Sequence, residues 1–308
     1  MTARATEMRT HVGSVQLANP ICTASGTSGH GTELGRYMDL SSLGAVVVKS
    51  LCEGPWPGNR PPRLMPAGEG MLNSVGLQGP GVRAWMDVDL PKLEAAGAKV
   101  VASIWGRSVD GFAAAASAIA AASAAVVAVE VNVSCPNVED RSRMFSHSPQ
   151  ATSDAVEASK ACGRPLWAKL SPNVANLAEI AAAAVAAGAE ALVLVNTLLG
   201  MALDTSARRP ALGGAGGGLS GPPLHPVAVR AVWDCREALP EVPIVGVGGV
   251  RRGVDAVELM MAGASAVEVG TASFAEPSAC IRVLGELDRW CTANGVTDVA
   301  ELVSVAHG

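Results

Sequence analysis

Val127-Ala128-Val129-Glu130-Val131-Asn132-Val133-Ser134-Cys135-Pro136-Asn137 is the stretch on which the fold turns. Its first half is an alternating apolar run of the kind that forms a buried β-strand. Pro136 cannot donate to a ladder and ends it. Two amides, a hydroxyl and a thiol therefore stand together at a strand exit. A cysteine in such a place often serves only as a small buried apolar residue. It can also be a positioned nucleophile or acid/base, where its neighbours hold a polar substrate. Other polar strand ends along the chain favour the second role.

Outward from this stretch, the same kind of short apolar run recurs. The runs are Ile21–Ala24, Ala45–Lys49, Val100–Ile104, Val127–Asn132, Leu166–Leu170, Ala191–Asn196, Ile244–Val247 and Ala266–Gly270. Helix-like stretches lie between most of them. Ser153–Cys162 stops at Gly163, Leu177–Ala187 at Gly188, Val254–Ala262 at Gly263, and Val227–Leu239 before Pro240. Glycine or proline just past the last turn is an ordinary helix stop. Eight strands alternating with helices predict an α/β fold, a (β/α)8 TIM barrel, as a single domain over residues 1–308. The alternative is a doubly wound open sheet, and the absence of G-x-G-x-x-G after the first strand weighs against it. His11–Ala18 alternates and predicts an N-terminal β-hairpin across one end of the barrel.

Long segments follow strands 2, 4 and 6. Cys52–Asp89 is rich in Pro and Gly, and Thr197–Pro226 contains Gly213-Gly214-Ala215-Gly216-Gly217-Gly218. Such a glycine run in isolation reads as a flexible linker. Inside a barrel, long loops after strands are where active sites are kept.

Composition narrows the function. Hydrophobic residues make up 49% and charged residues 17%, which is a globular balance. Aromatics at 3% leave no stacking platform for single-stranded nucleic acid, and a net charge of -5 leaves no basic footprint for nucleic acid or an anionic membrane. Cys22, Cys52, Cys135, Cys162, Cys235, Cys280 and Cys291 form no C-x-x-C pair. That argues against a bound metal, an iron–sulfur cluster in this chain and a disulfide framework, and for a reducing, cytoplasmic compartment. The N-terminus has no apolar signal core and no run of apolar residues is long enough to span a membrane.

In a barrel the C-terminal ends of the strands face one mouth. Standing there are Ser25, Lys49, Ser103, Asn132 with Cys135, Lys169, Asn196 with Thr197, Gly248-Gly249 and Gly270-Thr271. Two lysines aimed at one mouth predict an anionic ligand, since a buried ammonium needs a counter-charge. Gly246-Val247-Gly248-Gly249 and Val269-Gly270-Thr271 end the last two strands, where barrels bind phosphate on bare backbone N–H groups.

In this arrangement the sequence resembles the class 1 dihydroorotate dehydrogenases, from Leu17 to about Arg289. The resemblance is carried by Asn19-Pro20-Ile21, Ala24-Ser25-Gly26, Val48-Lys49-Ser50 and Asn73-Ser74-Val75-Gly76-Leu77-Gln78. It continues through Asn132-Val133-Ser134-Cys135-Pro136-Asn137, Lys169-Leu170-Ser171-Pro172-Asn173 and Val195-Asn196-Thr197, and ends with Gly217-Gly218-Leu219-Ser220-Gly221-Pro222 and the two glycine-bearing strand ends. Leu77-Gln78-Gly79-Pro80-Gly81 and Gly218–Pro222 look most like the NAD-linked heteromeric subclass. That subclass pairs an FMN barrel with a subunit carrying FAD and a [2Fe–2S] cluster.

The resemblance implies oxidation of dihydroorotate to orotate in pyrimidine synthesis, in a homo-oligomer or heterotetramer. It makes Cys135 the catalytic base. It gives FMN to Ala24, Ser25, Lys49, Ser103, Asn132, Lys169, Val195, Gly221, Gly248, Gly249, Gly270 and Thr271. It gives the pyrimidine to Lys49, Asn73, Ser74, Val75, Gly76, Leu77, Asn132, Asn196 and Thr197. Three features depart from the family. Ser103 stands where the family has Asn, Ser28 where an aromatic is common, and the loop 138–147 lacks the usual glycines. These departures leave open a flavoenzyme for another pyrimidine of the dihydrouracil type, with a non-redox flavin-binding barrel as the remaining alternative.

Overall fold

The computed structural model describes residues 6–135, 144–214 and 216–308. Eight parallel strands form one sheet: β1 (Ile21–Thr23), β2 (Val46–Val47), β3 (Val100–Ile104), β4 (Val126–Asn132), β5 (Leu166–Leu170), β6 (Ala191–Leu194), β7 (Ile244–Val247) and β8 (Ala266–Val269). Each strand pairs with its neighbour in sequence, β8 returns to β1, and a parallel bridge from Cys22 to Ala45 joins β1 to β2. The ring is therefore closed, as a (β/α)8 barrel requires. The helices are α1 (Val82–Val88) and α2 (Leu90–Ala95) after β2, α3 (Val109–Ile119) after β3, α4 (Pro149–Ser159) after β4, α5 (Leu177–Ala186) after β5, α6 (His225–Ala238) after β6, α7 (Gly253–Met261) after β7, and α8 (Ala272–Ala275) with α9 (Ala279–Ala293) after β8. No helix among the described residues is long and apolar enough to cross a membrane.

Local chemistry sets these boundaries. The side chains of Ser108, Ser148 and Asn176 accept the N–H groups of Gly111, Ala151 and Glu179, which caps α3, α4 and α5 at their starts. Gly163 takes φ +63 where the helical stretch after β4 ends, a left-handed stop that suits glycine.

The two-residue period of the strands sorts the core into two layers. Val129 and Val131 of β4, with Val100, Ala102 and Ile104 of β3, pack outward against the helices. Cys22, Ala45, Val47, Val101, Ala128, Ala191, Val193, Val245, Val247 and Ala266 point inward. Trp167 is the one large side chain in that inner group, a fully buried indole among alanines and valines. Strands Thr10–Val12 and Val15–Leu17 form the N-terminal hairpin, and Val12, Val15 and Leu17 join the same inner cluster. The hairpin thus plugs the end of the barrel away from the polar strand exits.

The long loops after β2 and β6 do not hang free. They pair with one another as a four-stranded antiparallel sheet, in the order Leu198–Gly200, Gly217–Ser220, Gly70–Asn73, Leu64–Ala67. The glycine run is part of this structure and is not a linker. A Cβ on Gly213 would lie 1.8 Å from the Arg60 carbonyl oxygen, and one on Gly218 would lie 2.0 Å from Thr197 Oγ1. Close backbone approach therefore explains glycine at these two positions. In the loop after β4, Pro136, Asn137 and most of the 138–147 departure lie outside the described residues. Its end is anchored where Phe145 and Ser146 donate their backbone N–H groups to the carbonyls of Cys135 and Val133.

Candidate active site

The strand exits and the four-stranded cap enclose a cavity of about 450 Å³. That lies in the range of small-ligand sites. Lys49, Asn132, Lys169, Val195, Asn196 and Thr197 line it from the barrel. Asn73, Val75, Gly76 and Leu77 close it from the cap side. Ala24, Ser25, Gly221, Gly248, Gly249, Gly270 and Thr271 form its remaining wall. Nearly all the residues marked by the sequence thus meet in one space.

Three of them stand outside it. Ser74 is buried against the cap, where its hydroxyl accepts from Asn59 Nδ2 at 3.0 Å. Ser103 lies beneath the floor. The Cys135 thiol is fully buried beside the mouth and donates to the carbonyls of Gly106 at 3.1 Å and Asn132 at 3.3 Å. Burial pushes that thiol up to about 12. Its neighbour Ser134 does line the cavity, so Cys135 is one residue behind the wall.

The floor is an ordered polar layer. Lys169 of β5 is 3% exposed and donates to Ser25 Oγ at 3.1 Å, Glu268 Oε2 of β8 at 2.9 Å and Glu130 Oε2 of β4 at 3.3 Å. From Glu130 a hydrogen-bond chain runs back to the surface of the cavity. Ser103 Oγ donates to Glu130 Oε1 at 2.7 Å, which leaves the Ser50 hydroxyl to donate to Ser103 at 2.8 Å. Asn132 Nδ2 then donates to Ser50 at 3.0 Å. The Asn132 oxygen accepts from Ser134 N–H at 3.1 Å and from Asn196 Nδ2 at 3.4 Å. The amide of Asn132 is therefore fixed in orientation from below.

Glu130 and Glu268 were missed by the sequence reading. The signal that marks them is position. Each sits two residues before a polar strand end, Asn132 and Gly270, so the alternation of the strand turns it into the barrel. Their discovery changes the meaning of the two lysines. Lys169 finds its counter-charges inside the protein; burial opposes its protonated form, and Glu130 and then Glu268 raise its pKa above the usual value. Lys49 has no acidic partner among the described residues, and burial, then the Lys169 charge, lower it to about 8. Gly26 leaves room for it, since a Cβ there would stand 3.3 Å from Lys49 Nζ and its φ is +89. The anion predicted for two lysines is thus wanted by one of them.

The cavity wall also has free donors. Gly249 and Gly270 line it, and their N–H groups have no backbone acceptor among the described residues. Beside them Thr271 Oγ1 donates to Ser220 Oγ at 2.8 Å. His225, at the start of α6, bonds the Gly248 carbonyl through Nδ1 at 2.8 Å and Glu258 through Nε2 at 3.1 Å, which holds the β7 exit in place. Bare N–H groups at the last two strand ends and an ammonium with no acidic partner among the described residues, in one 450 Å³ space, fit an anionic ligand that carries a phosphate.

Residues 7–290 match the family described as dihydroorotate dehydrogenase. Three curated relatives carry the name dihydroorotate dehydrogenase B (NAD(+)), catalytic subunit. The chain is 45% identical over 297 residues to the one from Desulforudis audaxviator, covering 96% of each chain. It is 43% identical over 304 residues to the one from Alkaliphilus oremlandii, covering 98% of this chain and 99% of the relative. It is 40% identical over 298 residues to the one from Geobacter sulfurreducens, covering 96% of this chain and 97% of the relative.

Proposed function

Because this chain belongs to the dihydroorotate dehydrogenase family, we propose that its mouth holds FMN and oxidises dihydroorotate to orotate, as the catalytic subunit of an NAD-linked, cytoplasmic enzyme. One observation carries the reading beyond family membership. Lys49, an ammonium with no acidic partner among the described residues, and the bare N–H groups of Gly249 and Gly270 share one cavity over an ion-paired floor. A phosphate-bearing cofactor with a polar ring satisfies both groups. FMN bound there supplies the hydride acceptor.

The chain's own groups do the remaining work. Gly248, Gly249, Gly270 and Thr271 hold the phosphate, with Gly221 beside them. Ala24, Ser25 and Val195 line the cofactor wall. Lys49 faces the anionic side of the mouth, where the substrate carboxylate belongs. Asn73, Asn132, Asn196 and Thr197 offer the alternating donors and acceptors that an imide ring requires, and Val75, Gly76 and Leu77 close over it. Oxidation takes a proton from C5 of the ring and a hydride from C6. Cys135 is assigned as proton acceptor. Its thiol is neutral while buried against Gly106, so proton removal needs the thiolate, which makes the step faster as pH rises. Electrons then leave to a partner subunit; the reading gives that partner FAD and a [2Fe–2S] cluster.

The test is anaerobic. The purified chain should be yellow, and dihydroorotate should bleach it while dihydrouracil should not. NAD should reoxidise it only after the partner subunit is added. A colourless protein, or bleaching by dihydrouracil alone, overturns the assignment of reaction. Fast fumarate-dependent turnover by the chain alone overturns the partner.

A further inference from the structure

The floor of the mouth packs two carboxyl groups against one ammonium, away from water. Glu130 and Glu268 have no exposed side-chain surface, and that of Lys169 is 4% exposed. A lysine has three N–H donors, and here all are spent, on Ser25, Glu130 and Glu268. Its ammonium is therefore fixed in three directions. The charges do not balance if both carboxyls are ionised, because one buried negative charge is left over. Such a charge is costly, and the usual answer is for one of two neighbouring carboxyls to keep a proton.

The two carboxyls are not equivalent. Glu130 has both oxygens satisfied as an anion, Oε1 by the Ser103 hydroxyl and Oε2 by Lys169. Glu268 has Oε2 on Lys169, but its Oε1 has no partner among the described residues. An unpaired buried oxygen penalises the anion there. We propose that Glu130 and Glu268 are positioning residues that hold Lys169 in place beneath the flavin site and keep one exchangeable proton, carried mainly by Glu268, so that the floor can change by one charge. This rests on the flavin reading for its consequence but not for the proton itself. Burial, opposed by Lys169 and reinforced by Glu130, pushes Glu268 up to about 8, in agreement with the geometry.

The groups facing Glu268 are few. Glu130 comes from β4 and Lys169 from β5. The Cys22 thiol comes from β1, and burial and the Glu268 charge hold it protonated. Lys49, after β2, is felt through Lys169. Ser103 of β3 does not titrate, and β6 and β7 present Val193, Val245 and Val247. With the proton in place the floor is neutral; without it, the floor carries one negative charge. Reducing a ligand above the floor adds negative charge, so the reduced form is held more weakly once the proton has gone.

Infrared difference spectra between pH 6 and 9 of the purified flavin-loaded protein test this. Wild type should show a protonated-carboxyl band that fades through this range, where exposed carboxyls are already ionised. Glu268→Gln should lack it. Glu130→Gln should retain it but move its midpoint down by about one pH unit, because a like charge has been removed. In parallel, the reduction potential of the bound flavin against pH should lose one break in Glu268→Gln. A band unchanged in Glu268→Gln, or absent from wild type, overturns the proposal. If Glu268→Gln does not fold, the Glu130→Gln midpoint decides: a shift downward supports the proposal, and no shift overturns it. A protein that shows the band but binds no flavin refutes the flavin reading alone; a flavin-loaded protein without the band refutes the shared proton alone.

Discussion

Replacing Lys49 with Met should make the ligand-free protein more stable and the mouth useless for anions. The structure gives the size of the effect. Lys49 loses water and gains no carboxylate, and its pKa falls from 10.5 to about 8, with burial the main cause and the Lys169 charge the second. At 1.36 kcal/mol per unit, the charged form costs the fold about 3 kcal/mol. Water in the open mouth screens part of this, which puts the gain in Lys49→Met at about 1–3 kcal/mol at pH 7. The sign with pH follows from proton counting. Between about 8 and 10.5 the unfolded chain keeps the Lys49 proton and the folded chain sheds it. At this site the unfolded state binds more protons, so the Lys49 penalty shrinks with pH across that window, while buried thiols such as Cys22 and Cys135, held protonated, lower the stability of wild type and variant alike. Lys49→Met lacks this penalty, so the stabilities of the two proteins should converge toward pH 10.5. The assay is chemical denaturation of flavin-free protein at pH 7, 8.5 and 10. Orotate at a hundredfold excess over its Kd should stabilise wild type by about 2.7 kcal/mol and leave the variant unmoved. A variant less stable than wild type at pH 7, or a stability difference between the two that stays constant from pH 8 to 10, refutes the claim that this ammonium is uncompensated.

Three further outcomes follow from the geometry. Trp167→Ala empties the one large volume inside the barrel and should cost about 3–5 kcal/mol in denaturant unfolding, since the surrounding alanines cannot collapse into the space. Gly249→Val forces a side chain at φ +69 to within 2.8 Å of the His225 backbone nitrogen and 3.0 Å of the Gly221 oxygen, so the variant should purify with little or no flavin, as read by its absorbance. Cys135→Ala should keep flavin and lose about 10²–10⁴-fold in turnover, while Cys135→Ser should recover only at high pH, as a pH–rate profile would record.

Much of the barrel can be read in the sequence because its strands obey a simple rule. Each of the eight apolar runs is short, most end in or just before a polar or glycine residue, and several precede a helix with a glycine stop. Closure of the ring then brings Lys49, Asn132, Lys169, Asn196 and the two glycine ends into one mouth, without further information. The glycine run 213–218 was ambiguous for a physical reason. Its glycines answer to Arg60 and Thr197, which are far away or on another strand, and no local pattern reports a long-range close approach. Glu130 and Glu268 were overlooked because each sits within an apolar run, where a charge reads as an exception. Strand parity shows them to be part of the site. The direction of the Cys135 thiol was not legible at all, since a strand exit fixes where a residue stands but not which carbonyl its side chain finds.

The departure at Ser103 takes its meaning from this buried layer. A residue on the inner face of β3 stands below the cavity, between Ser50 and Glu130. A serine there makes one donation and one acceptance, which is what an ordered chain from Asn132 to a carboxylate needs. Its short side chain keeps it away from a ligand, but its hydroxyl directs every proton in the chain. Because Glu130 can only accept, Ser103 must donate to it, Ser50 must donate to Ser103, and Asn132 must present its NH2 to Ser50. The oxygen of Asn132 is thereby turned toward Ser134 and Asn196. The orientation of an amide in the wall of the mouth is thus determined by an anion beneath it. Glu130 does two things at once: it holds Lys169 by one oxygen and orders the substrate side by the other. Protonating Glu130 would disturb both, whereas protonating Glu268 disturbs neither, which is a structural reason for the proton to reside on Glu268.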